Sequence, residues 1–109
     1  MRKAKVLMHD KTAGWLTQDD EGYHFVYEPL YLISESPQAI SLTLPLQEEA
    51  FLDKVLFPFF DGLIPEGWLL DIAEKNWKIN HRDRMALLMV CCKDCIGAVS
   101  IIPVNEKTQ

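Results

Sequence analysis

Apolar side chains change their spacing midway along this chain, and the two halves predict different elements. In the first half they alternate with polar ones, the period of a half-buried strand. Lys3 to Met8 is short and β-capable, and Ala13 to Thr17 follows with Gly14 and Trp15. The cluster from Gln18 to Gly22, with Asp19, Asp20 and Glu21 between, is a turn signal. Tyr23 to Tyr27 then alternates, with Tyr23, Phe25 and Tyr27 on one face and His24 and Val26 on the other. The two runs predict an antiparallel hairpin across the acidic turn. Pro29 ends the second strand, and Leu30 to Ile33 is expected to make one helical turn. Ile40, Leu42 and Leu44 alternate with Ser41 and Thr43, which predicts a half-buried strand stopped at Pro45. Gln47 to Ala50 is expected to add a short edge strand.

The second half is helical in period. Asp53 to Leu63 reads as an interrupted helix, since Pro58 removes a donor and disfavours helix at Phe57. Pro65 fits the first turn of a new helix running to about Lys78, with Glu66 complementing the dipole there. Leu69, Leu70, Ile72, Ala73 and Trp77 form its apolar arc. Trp68 falls at the edge of that arc, where it can pack on the core or project from it. A third helix is expected from Asn80 as cap, through the apolar run from Met85 to Val90, and a last strand at Ala98 to Ile102. The predicted fold is α+β: a small, mostly antiparallel sheet, curled or barrel-like, with about three helices in the second half. Residues 1–104 are expected to form one domain and 105–109 a disordered tail.

With 109 residues and a net charge of −5, the chain is sized for one core and carries no basic cluster beyond the short Arg2, Lys3 and Lys5 group. Direct nucleic-acid binding is not expected. No apolar run approaches the ~20 residues that span a bilayer. The N-terminus lacks the apolar stretch of a signal peptide, so a cytoplasmic location without membrane contact is expected. Cys91, Cys92 and Cys95 are odd in number and read as free structural thiols. The Cys92–Cys95 spacing lacks the second ligand pair of a zinc site and the preceding strand of a redox site.

Chemistry is otherwise sparse. His81-Arg82-Asp83 imitates a kinase catalytic loop, but that motif needs an Asn five residues after the Asp, and position 88 is Leu. There is no nucleophile elbow or Walker loop. Asp19, Asp20 and Glu21 lack the alternating ligands of a calcium loop. A non-catalytic protein without cofactor or metal is the expectation.

The segment from Phe57 to Leu70 stands apart, with three phenylalanines, a tryptophan, two prolines and two glycines in fourteen positions. Large aromatics bury much area, and Pro and Gly fix or free the backbone. Taken in order with Ala13-Gly-Trp-Leu-Thr17, Tyr23-His-Phe-Val-Tyr27, Ser41-Leu-Thr-Leu-Pro-Leu46, Arg84-Met-Ala-Leu-Leu88 and Lys93-Asp-Cys-Ile-Gly-Ala98, this segment resembles the N-terminal subdomain of HipA-type serine/threonine kinases. Those kinases are the toxins of bacterial toxin–antitoxin modules. The resemblance covers about Lys3 to Pro103.

In that family the module precedes a long kinase core, whereas this sequence stops at Gln109. A stand-alone copy is similar to HipS-type antitoxins, in which the small protein binds a separate HipT/HipA-like kinase toxin and blocks it. A helix-turn-helix DNA-binding protein is the third member of such systems. The resemblance implies a partner-binding segment of Ile64, Pro65, Glu66, Gly67, Trp68 and Leu69, with Trp68 inserted into the kinase's active-site cleft. Trp is also the commonest kind of interface anchor. Phe59, Phe60 and Leu63 are expected in the core, as are Trp15 and Trp77. The alternative role is a structural subunit that completes a split kinase, or bridges it to the DNA-binding protein, without inhibiting it.

Overall fold

Two tight turns organise the N-terminal half. In the computed structural model, which describes residues 2–64, 83–91 and 98–104, strand β1 (Arg2–Met8) turns at His9 and Asp10 into β2 (Lys11–Asp19). His9 and Asp10 have φ of 51° and 69°. Positive φ at both central residues is the turn that matches the right-handed twist of a hairpin, and His and Asp tolerate it better than most residues. Asp20 and Glu21 then turn the chain into β3 (Gly22–Tyr27). Asp19 Oδ1 accepts from the Glu21 amide at 2.9 Å, and Gly22 takes φ of 136°, open to glycine at little cost. A Cβ at Gly22 would also stand 2.4 Å from the Asp53 carbonyl oxygen.

The sheet is antiparallel and open, in the order β4-β3-β2-β1-β5, with β4 at Phe51–Asp53 and β5 at Val99–Pro103. It is not closed into a barrel. Among the described residues the helices are α1 (Pro29–Leu32), α2 (Pro58–Asp61) and α3 (Arg84–Cys91). The first lies in the N-terminal half. No helix among the described residues is long and apolar enough to cross a membrane.

One face of the sheet carries the core. Ala4, Val6, Leu16, Phe25, Val99 and Ile101 point into it, and α2 and α3 contribute Phe60, Met85, Leu87 and Leu88. Aromatic rings dominate its centre. Phe25 meets Tyr27 edge-on at 4.9 Å between centroids and Phe60 at 5.5 Å, geometries that add to the area they bury. In β2 the pairing slips after Val6↔Gly14 to Leu7↔Thr12, which leaves Ala13 as an extra residue. The bulge buries Ala13 and Gly14 in succession. Gly14 has no alternative there, since a Cβ would meet the Val26 carbonyl oxygen at 2.5 Å and the Phe25 ring at 2.8 Å.

Three local expectations are corrected. Ile40 and Leu44 are buried, but Leu42 is fully exposed on a tight turn closed by the Ser41–Leu44 bridge. The segment is pinned by the Tyr27 hydroxyl, which accepts from the Ile40 amide and donates to the Leu44 carbonyl. The edge strand begins at Phe51, after Gln47 to Ala50. Asp53 to Phe57 is non-helical, and the helix starts at Pro58, whose missing N–H costs nothing at a first turn. The helix expected from Pro65 to Lys78 and the Asn80 cap lie outside the described residues.

Candidate partner-binding surface

Pro58 opens α2, Phe60 drives it into the core, and the chain reaches Ile64 through a last turn in which the Leu63 and Ile64 amides donate to Phe60 and Asp61 carbonyls. Ile64 is 3% exposed and packs with the core, where a rim position was expected. Pro65, Glu66, Gly67, Trp68 and Leu69 lie outside the described residues. Phe60 is fully buried as expected, and Phe59 and Leu63 pack partly buried against the core.

The described residues on either side of 65–82 are tied to each other and to the sheet. Arg84 Nε donates to Asp61 Oδ1 at 2.7 Å, joining α3 to α2. Arg2 on β1 grips Asp83 with both terminal guanidinium nitrogens, at 2.8 and 3.1 Å, a bidentate fork that fixes orientation as well as distance. The same carboxylate accepts from the Ala86 amide at 3.2 Å and caps α3. The Arg2 fork and this amide bond hold the Asp83 carboxyl below its usual range. The residue that resembled a kinase base is thus a helix cap with an arginine clamp.

The opposite sheet face holds a feature that periodicity did not reveal. Trp15, expected in the core, lies half-buried on that face, paired between Lys5 and Val26. Lys3 Nζ sits 4.8 Å from its ring centroid and Lys5 Nζ 5.8 Å. Each such cation–π contact contributes about 0.5–1 kcal/mol at an exposed site. The indole Nε1–H donates to Glu28 Oε1 at 3.0 Å, which fixes the ring. The ring also walls a cleft of about 330 Å³ with Val26, Pro29, Leu32, Ile33 and Glu48. Among the described residues no group of three or more His, Cys, Asp or Glu is placed to hold a metal.

Comparison with known proteins identifies the arrangement. The profile of the HipA N-terminal domain family matches residues 4–102. The chain belongs to the HipA N-terminal domain family. It is 33% identical over 101 residues to an uncharacterized protein of Haemophilus influenzae, covering 93% of this chain and 92% of that one. A putative kinase of Sinorhizobium fredii is 28% identical over 108 residues, which take in 98% of this chain but 26% of the relative. The chain thus spans about a quarter of that protein. A solved N-terminal domain of HipA toxin superposes with a TM-score of 0.74 at 26% identity, over 97% of this chain and 95% of the other. The open five-stranded sheet and its helices are therefore a HipA N-terminal domain, and the family supplies a toxin–antitoxin context.

Proposed function

We propose that this HipA N-terminal domain is a non-catalytic antitoxin that binds a separate HipA-like kinase in the cytoplasm and inhibits it. The observation that carries the reading is the family match across residues 4–102. The Haemophilus influenzae relative supports action in trans, because the aligned module makes up 92% of that protein. The bidentate Arg2–Asp83 clamp and the Arg84–Asp61 pair supply the rest of the argument: they brace the residues that flank 65–82. Flanks fixed in this way pay less ordering entropy when a partner docks on the chain. Between them in sequence, Trp68 is the residue proposed to enter the kinase's active-site cleft, with Pro65, Glu66, Gly67 and Leu69 as its sequence neighbours. A helix-turn-helix protein is the proposed third component.

Co-expression with a candidate HipA-like kinase, followed by size-exclusion chromatography, tests the partnership. A stable complex is expected, and elution of the two chains apart would end the proposal. Trp68→Ala is expected to weaken inhibition by at least about tenfold, as loss of a central Trp anchor does. A folded variant that inhibits undiminished would remove the insertion step alone. Kinase activity that rises on adding the chain would favour a completing subunit instead.

A further inference from the structure

The Trp15 face carries an apolar cleft. Its floor is the Lys5–Trp15–Val26 row, and α1 forms a wall through Leu32 and Ile33. Ile33, which lines the cleft, is 79% exposed, and Leu30 on α1 is 72% exposed. The strand residues of the core belong to the other face.

The charges on this surface are arranged by sign. Lys3 and Lys5 stand over the indole ring, and among the described residues neither ammonium has a carboxylate at ion-pair distance. Glu48 lines the cleft, and Glu28 is occupied by the indole N–H and by the Leu30 amide. Two ammonium groups that contact the indole ring, with no ion pair among the described residues, thus stand beside an apolar cleft on a protein of net charge −5. We infer that this face docks a partner-protein segment that places an apolar side chain in the cleft between Trp15 and Ile33 and carboxylates on Lys3 and Lys5. Electrostatic complementarity of this kind sets register and approach rate. A nucleic acid, which could stack on Trp15 and bring phosphates to the lysines, is disfavoured by the overall negative charge and by Glu48 in the cleft.

The test does not depend on the kinase. The full chain, labelled with ¹⁵N, is titrated with a synthetic Glu-Asp-Leu-Phe-Glu-Asp peptide, its Lys-Lys-Leu-Phe-Lys-Lys counterpart, and a single-stranded RNA dodecamer. Loss of one indole signal in Trp15→Phe assigns the Trp15 Nε1–H resonance. The acidic peptide is expected to shift that resonance and the amides of Lys5, Val26 and Ile33. Lys3→Glu with Lys5→Glu should weaken binding on the order of tenfold, and added salt should weaken it in the parent. Ile33→Ser, at an exposed position, should weaken it without unfolding the chain, which near-UV circular dichroism checks. An unmoved indole resonance, equal response to the basic peptide, or tighter binding of the RNA would each overturn the inference.

Discussion

The Tyr27 hydroxyl holds in place a segment with no strand of its own. It is a donor to Leu44 and an acceptor from Ile40, 3.1 Å away, and both residues are buried. Burial pushes this phenol's pKa up, so it stays protonated and able to donate across the physiological range. Tyr27→Phe leaves a buried amide and a buried carbonyl without partners. The expected loss is about 1–3 kcal/mol in urea unfolding; an unchanged midpoint would show that the segment is held by Ile40 and Leu44 packing alone. The alternation of Ile40, Leu42 and Leu44 looked like a strand because the decisive contact comes from Tyr27, far off in sequence. Trp15 was misplaced for a related reason. The bulge at Ala13 buries two successive residues, and no periodicity announces such an extra residue. Tyr23 to Tyr27, by contrast, was legible because nothing interrupts its alternation.

Among the elements, α3 shows local and distant control meeting at one side chain. Asp83 caps the helix through Ala86 and is gripped by Arg2 from β1. Its carboxyl is held low first by the Arg2 hydrogen bonds and then by the Ala86 amide, against an opposing desolvation. A lowered folded pKa means the stabilisation is complete above the unfolded value and is lost as pH falls through the folded one. Acid unfolding below about pH 4 is therefore expected to include this residue. Asp83→Asn should flatten the acid limb, and Asp83→Ala should cost about 0.5–2 kcal/mol at pH 7 through the lost cap. An acid limb identical in parent and Asp83→Asn would contradict the assignment. The helix itself was legible from its apolar run. Its first described residue was not, because Asn80 offered a competing cap upstream and the Arg2 contact spans the whole chain.

At the scale of the molecule, the sheet order follows from two hairpins of alternating strands, with β5 added beside β1 from the far end of the sequence. The β2–β3 hairpin was read directly from its acidic turn; the β1–β2 hairpin, the β1–β5 pairing and the open edge were not. The module was nevertheless recognisable from the order of its aromatic and proline-rich segments, and the match over residues 4–102 agrees with it. The candidate site divides in two. Ile64 belongs to the core, while the Trp15 face, which alternation hid, presents lysines, an indole and an apolar cleft together. Inhibition in trans is tested most directly by a phosphorylation assay of a HipA-like kinase that the chain binds. With the chain titrated from zero to twofold excess, phosphate transfer should fall steeply and level off near one chain per kinase. A rate that stays level or rises across the titration would contradict it.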